Sequence, residues 1–110
     1  MIEKDLVTSL KTICVSVHPL FLPQKVVFPA MRYQVIHDGV NQATNGNFSS
    51  RNIRFQVDVY AKSYKEAKEL KDLVFEKVIE LKGGSISAQY LYEDETKLFR
   101  QLIDFKIKRT

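Results

Sequence analysis

The stretch Arg51-Asn52-Ile53-Arg54-Phe55-Gln56-Val57-Asp58-Val59-Tyr60-Ala61 decides the fold, because apolar and polar side chains alternate along it more regularly than elsewhere. The apolar members are Ile53, Phe55, Val57 and Val59, and the polar members are Asn52, Arg54, Gln56 and Asp58. Alternation with a period of two is typical of a strand with one buried face. This stretch is therefore predicted to be the central strand of a sheet.

A helix is predicted directly after this strand. Ser63-Tyr64-Lys65-Glu66 has the order of a capping box, in which the Ser63 hydroxyl accepts a hydrogen bond from the Glu66 amide. The helix is predicted from Ser63 to Lys82, and the glycines Gly83-Gly84 favour its end. Its apolar stripe consists of Ala67, Leu70, Leu73, Val74, Val78 and Leu81, with Phe75 and Ile79 toward one flank. A strand leading into a capped helix predicts a sheet with a helix packed on it.

The N-terminal region is predicted to form one more helix and then an irregular segment. Apolar residues recur at helical spacing along the first dozen positions, which indicates a short amphipathic helix. They are Ile2, Leu6, Leu10 and Ile13. From Cys14 to Pro29 this periodicity is absent, and three prolines exclude a continuous helix or a central strand. A short edge strand is predicted at Val26-Val27-Phe28.

A second strand and a long loop precede the central strand. Met31, Tyr33 and Val35 alternate with polar residues, which predicts a half-buried strand from Ala30 to His37. The following segment, Asp38 to Ser50, is predicted to be a turn-rich loop, longer than the ~4–6 residues usual between strands. It is either a mobile hairpin tip or a binding arm that orders on a partner, and Phe48 favours the arm.

Two further strands complete the chain. One contains Ile86 to Tyr92 and the other Leu98 to Lys108, and the polar connection Glu93-Asp94-Glu95-Thr96-Lys97 joins them as a C-terminal hairpin. In the last strand Gln101 interrupts the apolar face and Leu102 the polar face. Residues 1–110 are predicted to be a single α+β domain, a mostly antiparallel sheet packed by two helices in the order α-β-β-β-α-β-β.

Composition is typical of a globular protein. The 110 residues are 45% hydrophobic and 27% charged, which suits one domain with a real core. No apolar run approaches the ~20 residues of a membrane-spanning helix, and acidic residues follow Met1, so synthesis in the cytoplasm without a signal peptide is expected. The net charge of +4 is mild, and lysines alternate with carboxylates on the second helix, which indicates a solvated surface.

The sequence lacks the constellations that small enzymes use. No glycine-rich phosphate loop and no Gly-x-Ser-x-Gly elbow is present, and the two histidines, His18 and His37, are not at ligand spacing. Cys14 is the only cysteine, which excludes an internal disulfide, and it is predicted to be a buried apolar side chain. A binding or structural role is therefore predicted, with no catalytic residues, no cofactor and no metal.

Two segments resemble a known family. Pro23 through Tyr33 is similar to the proline-rich entry into the first hairpin of the small tail-completion proteins of long-tailed bacteriophages. Gln56 through Ala67, which contains Val57-Asp58-Val59-Tyr60-Ala61 and Glu66-Ala67, is similar to that family's strand-to-helix centre. The likeness covers most of the chain. The family comprises tail terminator and tail-to-head joining proteins of phages and prophages.

The resemblance implies a non-enzymatic virion protein at the head–tail interface. Such a protein docks on the last ring of tail-tube subunits, stops tube growth and presents a surface to the head-connector protein. Relatives act as ring oligomers, commonly hexamers, which often form only on their template. The resemblance does not distinguish the terminator role from the connector-side role, and it implies neither a membrane nor a specific nucleic acid as partner.

The long loop and its base are predicted to contact the tube or the neighbouring subunit. The residues assigned to this contact are Asn41, Asn45, Asn47, Phe48, Arg51 and Arg54. The alternative function is a small nucleic-acid-binding module that uses Arg32, Arg51, Arg54 and the lysines of the last strand. Against it, the phenylalanines of the strands fall on predicted buried faces, which leaves no stacking platform. An adaptor of a bacterial complex is a third possibility that the residues do not distinguish.

Overall fold

The computed structural model describes residues 2–14, 16–42 and 48–109. Within them lie two helices and five strands: α1 (Ile2–Lys11), β1 (Val17–Pro19), β2 (Ala30–Gln42), β3 (Phe48–Ala61), α2 (Tyr64–Glu80), β4 (Gly83–Glu93) and β5 (Leu98–Arg109). The strands form one sheet in the order β1-β2-β3-β5-β4, and only the β1–β2 pair is parallel. The predicted α+β class and the order of the elements are confirmed.

Strand β3 lies at the centre of the sheet, as its alternation predicts. Phe55, Val57 and Val59 have no exposed surface, and they contact the residues of α1 and α2 in one hydrophobic core. Phe55 lies opposite Phe105 of β5, and the two rings stack with centroids 5.6 Å apart. We call the side of the sheet that carries the helices the helix face and the opposite side the open face.

Helix α2 begins as predicted and ends differently. The Ser63 hydroxyl accepts a hydrogen bond from the Glu66 amide at 3.2 Å, which confirms this half of the predicted cap. The prediction that Gly83-Gly84 ends the helix is wrong, because the residue with positive φ is Lys82, at 62°, and Gly83 already belongs to β4. Gly83 is required for another reason: a Cβ there would lie 2.5 Å from Cγ1 of Val78, so only glycine fits against the helix.

Most of the predicted helix stripes are buried. Ile2, Leu6 and Leu10 of α1 are buried, and so are four residues of α2: Ala67, Leu70, Val74 and Val78. Leu73 of the predicted stripe is 37% exposed, because the buried stripe of α2 is narrower than predicted and leaves this side chain at its margin. Phe75 packs against the core, whereas Ile79 is 63% exposed.

The edge strand lies earlier in the chain than predicted. It is Val17–Pro19, which pairs with β2 from Met31 to Tyr33, and the prediction of a strand at Val26-Val27-Phe28 is wrong. Directly after this strand, Leu20 donates from its backbone N–H to the Tyr33 carbonyl at 2.9 Å. A three-residue strand is too short to show any alternation, which explains why the sequence does not reveal it.

The predicted bounds of the loop, Asp38 and Ser50, are both wrong, because these residues belong to strands. Strand β2 continues to Gln42 and β3 starts at Phe48, so the two strands form a long antiparallel hairpin. Ile36 is an extra residue in the ladder, because Val35 pairs with Phe55 and His37 pairs with Arg54. This bulge reverses the alternation beyond it. The ladder itself uses backbone groups, which polar residues supply as well as apolar ones.

Candidate interaction surface

The hairpin extends beyond the rest of the sheet. The last pair between β3 and β5 is Arg51 with Arg109, whereas β2 and β3 continue to pair as far as Gln42 with Phe48. We call residues 35–42 and 48–53 the hairpin arm. It contributes to an elongated molecule, 53 × 24 × 24 Å. Only its outer pairs, from Asn41 with Ser50 to Gln42 with Phe48, form a two-stranded ribbon, and such a ribbon is only marginally stable in water by itself.

The hairpin arm carries apolar side chains that the helices do not cover. Val35, Ile36 and Val40 are 42%, 44% and 54% exposed. Val35 lies opposite the buried Phe55 and Val40 lies opposite Arg51, so both side chains are on the helix face. On that face Asp38 lies between Val35 and Val40, so the exposed β-branched residues are separate apolar positions along the strand rather than one continuous patch.

The structure places the predicted contact residues at different positions along the hairpin. Asn41 is in β2 and Phe48 is in β3, while Asn45 and Asn47 lie outside the described residues. Arg51 and Arg54 are both in β3, but three positions separate them, so they lie on opposite faces of the sheet. The structure therefore does not bring these two arginines together as a single base of the loop.

Both arginines form bidentate ion pairs with carboxylates. Arg51 donates from Nε and Nη2 to the two oxygens of Asp38, at 3.0 and 2.6 Å. Arg54 donates in the same way to Asp104, with both distances 2.7 Å. Sequence spacing does not reveal these pairs, because they join different strands. Their charges are neutralised within the chain, so neither arginine is free to bind a phosphate without breaking its pair.

Acidification is expected to weaken the contact between β3 and β5. The hydrogen bonds from Arg54 lower the pKa of Asp104 below its usual 3.8. A carboxylate whose pKa is lower in the folded state stabilises the fold above the unfolded-state pKa, and this contribution is lost as the pH falls through the folded-state pKa. We expect the melting temperature to fall below about pH 4, and to fall less in Asp104→Asn. An identical pH dependence of the two proteins in calorimetry would contradict this expectation.

A second group of charged side chains lies on the open face of the sheet, and its central carboxylate, that of Asp58, is buried. Asp58 of β3 is 1% exposed, and its Oδ2 accepts from Nε of Arg32 at 2.8 Å and lies 3.2 Å from Nη2 of Arg100. Gln56 approaches the other carboxylate oxygen at 3.5 Å, and the Arg100 guanidinium lies over the ring of Tyr60 at 5.4 Å. This cluster joins the three central strands, because its members belong to β2, β3 and β5.

An aromatic cluster lies at the margin of the helix face. Tyr64 at the start of α2 meets Tyr90 of β4 edge to face with centroids 5.1 Å apart, and Phe99 of β5 lies 4.9 Å from Tyr92. The three tyrosines are each about 45% exposed. The cluster is not predicted from the sequence, and Phe99, predicted with the other strand phenylalanines to lie on a buried face, is only half-buried. The signal was the i, i+2 spacing of Tyr90 and Tyr92 on one strand.

The reactive side chains have local structural roles. Cys14 is buried, as predicted, and burial raises the pKa of its thiol, which disfavours the nucleophilic thiolate. His18 Nε2 lies 2.9 Å from the Ser16 hydroxyl. Among residues 2–14, 16–42 and 48–109, no three His, Cys, Asp or Glu side chains are grouped to hold a metal ion. Over the same residues, no helix is long and apolar enough to cross a bilayer.

Comparison with known proteins gives one family. The model of the family described as "Tail completion protein gp17" matches residues 6–108, which include all of α2 and of strands β1 to β4 and most of α1 and β5. No curated protein matches the chain. The matched region includes the hairpin arm, the buried charge cluster and the aromatic cluster. The chain therefore belongs to the gp17 tail completion family, and it is a structural protein of a bacteriophage tail.

Proposed function

We propose that the protein closes the end of the tail tube and joins the tail to the head connector, as a ring of identical subunits. The family assignment supports a structural role in the tail. The observations that carry the finer proposal are the outer pairs of the hairpin arm, which extend past the last β3–β5 pair, and the exposed side chains of Val35, Ile36 and Val40 on the same strand. A helix-packed body with a projecting hairpin is suited to fitting against other subunits rather than to binding a small substrate.

The ring follows from how identical subunits pack. A closed ring needs a heterologous interface, in which one surface of a subunit meets a different surface of the next. The hairpin arm is one candidate surface, and the aromatic cluster on α2, β4 and β5 is another, because the two lie on different strands at opposite sides of the sheet. The tube protein and the connector protein are then left to contact the two sides of the ring.

Loss of the protein is expected to change both tube length and head attachment. Tails assembled without it should fail to stop at the normal length and should lack heads, because neither the tube end nor the connector has its partner. Electron microscopy of particles with and without the protein measures both features. Headed tails of normal length in the absence of the protein would contradict the proposal.

The hairpin arm can be tested separately from the body. Deletion of Asn41 to Asn47 removes its outer part, and the core is expected to remain folded because its buried residues lie on the inner part of the hairpin and elsewhere. We expect a cooperative melting transition close to that of the unchanged chain, with loss of infectious particles. A matched control is Glu95→Ser in the exposed turn between β4 and β5, which should leave assembly intact. Normal infectivity of the deletion variant would exclude the outer part of the arm as the contact.

The alternative nucleic-acid role is disfavoured by the ion pairs. Arg32, Arg51 and Arg54, the arginines assigned to that role, each bind a carboxylate of the same chain. A gel-shift series across ionic strength separates the two functions. We expect weak or no binding of free DNA, whereas tight binding that weakens steeply with salt would favour the alternative.

A further inference from the structure

A cleft of about 620 Å³ lies at the β1 edge of the sheet. Its walls come from the end of α1 and the residues directly after it, from β1, and from the segment Pro23 to Pro29. We call residues 20–29, which connect β1 to β2, the crossover. Sites that enclose a bound group have volumes of about 300–1,000 Å³. None of the described residues that line the cleft belongs to the hairpin arm or to the aromatic cluster, so it is a separate surface.

The lining of the cleft is largely apolar. Cys14 at its inner side is a buried member of the hydrophobic core, and Ile13 packs against that core. Val26 and Phe28 of the crossover line the cleft as well, and both are half-buried. The cleft therefore brings the margin of the core to the surface, where an inserted apolar side chain would be removed from water.

The crossover exposes further apolar side chains beside the cleft. Val27 lines the cleft and is 79% exposed, and Phe21 is 77% exposed, which are the largest values for bulky apolar residues in the described part of the chain. Leu20 is exposed too. Single exposed apolar residues are ordinary, but three in one short segment next to an apolar cleft are typical of a contact surface. Leu20 and Phe21 do not line the cleft, so a protein segment covers this surface better than a small molecule does.

The charges at the cleft specify the chemistry of its occupant. Lys11 and Lys25 both line the cleft and are exposed, and none of the described lining residues is a carboxylate. Within residues 2–14, 16–42 and 48–109, neither lysine forms an ion pair, whereas Arg51 and Arg54 each do. Unpaired positive charges beside an apolar site attract a partner with negative charges at matching positions. The complementary segment is therefore apolar with carboxylates next to it.

We propose that the cleft receives a segment of another virion protein, in which an apolar side chain inserts between the end of α1 and the crossover. Carboxylates beside that side chain contact Lys11 and Lys25, and Val27 packs against the same segment. This inference requires only the structural role in the tail. It depends neither on a ring of subunits nor on closure of the tube.

Photo-cross-linking tests the occupant of the cleft. Val27→Cys is labelled with a maleimide that carries a benzophenone, added to tails and heads that were assembled without the protein, and irradiated. The native Cys14 is buried, and the unchanged chain taken through the same labelling measures its background. Mass spectrometry should find the label on a second virion protein, at a segment where an apolar residue lies beside aspartate or glutamate. The matched control is Ile79→Cys, an exposed apolar position on α2, which should not label that segment.

Other cross-linking patterns would overturn the inference. Labelling only of another copy of this chain, or only of a segment without carboxylates, would assign the cleft a different occupant. Equal labelling of one segment from Val27→Cys and Ile79→Cys would show that the contact is not specific. Headed tails of normal length without any cross-link would overturn the inference and leave the proposed function standing. The expected cross-link in particles whose tubes have no defined length would support the inference and contradict the proposed function.

Reversal of the two charges tests the cleft without a label. Lys11→Glu with Lys25→Glu should lower the yield of infectious particles about tenfold or more, because carboxylates would then face carboxylates, and the melting temperature should not change. Lys11→Arg with Lys25→Arg keeps both charges and should assemble normally. The matched control is Lys4→Glu with Lys68→Glu, exposed lysines of the two helices, which changes the net charge equally and should also assemble normally. Equal yields from the two charge-reversed proteins would contradict the proposed contact.

Discussion

Replacement of Asp58 by alanine is expected to lower the free energy of unfolding by about 3–5 kcal/mol, since removal of one member of a buried ion pair leaves an uncompensated charge. Asp58 is 1% exposed and lies between the guanidinium groups of Arg32 and Arg100. Without the carboxylate these two positive charges face each other. The Nε of Arg100 is already buried with no hydrogen-bond partner among the described residues, so Arg100 has little capacity to adjust.

Denaturant unfolding monitored by circular dichroism measures this loss. Asp58→Asn keeps the shape of the side chain but removes its charge. It should recover less than half of the stability that Asp58→Ala loses, because the amide oxygen still accepts hydrogen bonds but carries no charge. The control is Asp94→Ala in the exposed turn after β4, where a change within about 0.5 kcal/mol is expected. A destabilisation of Asp58→Ala no larger than that of the control would show that the cluster contributes nothing to stability.

Replacement of Phe105 by alanine is expected to cost about 3–5 kcal/mol, the range for loss of a fully buried aromatic side chain. Phe105 has no exposed surface and stacks on Phe55 at the centre of the sheet. The loss combines the transfer of the ring to water in the unfolded chain with the cavity that remains beside Phe55. Such a variant is expected to be largely unfolded at 37 °C if the native protein has ordinary marginal stability.

Two comparison variants test whether the loss of stability in Phe105→Ala comes from the loss of buried volume. Phe105→Leu keeps most of the volume and should lose much less stability than alanine, because cores tolerate apolar substitutions of similar size best. Ile79→Ala removes apolar surface that is 63% exposed and should change stability by about 0.5 kcal/mol or less. Equal losses for Phe105→Ala and Ile79→Ala in the same denaturation experiment would contradict the central position of the Phe55–Phe105 pair.

The residues that stabilise the core and the residues proposed to contact other subunits lie in different parts of the chain. Asp58 of β3 and Phe105 of β5 are buried side chains of the central strands. The exposed side chains of the hairpin arm and of β4, such as Val40 and Tyr92, lie outside the core, so their substitutions should change assembly without unfolding the subunit. This separation makes it possible to assign a loss of particles to a failed contact rather than to a failed fold.

The sequence alone was sufficient for most of the fold because the signals that carry it are local. The alternation from Ile53 to Val59 and the Ser63 cap each depend on a few neighbouring residues, and both are confirmed. The family resemblance also depends on such local segments, and the match over residues 6–108 confirms it. The extent of the hairpin was not predictable from polarity, because its outer residues pair through their backbones.

Only the tertiary structure decided which distant residues meet. The sequence shows Arg54 and Asp58 as polar residues of one strand, but their partners Asp104, Arg32 and Arg100 come from neighbouring strands. The order of strands in the sheet and the bulge at Ile36 determine these pairs and leave the edge of β4 uncovered. Local periodicity determines what kind of element forms, whereas strand register and burial, which depend on the whole chain, determine which surfaces remain available for assembly.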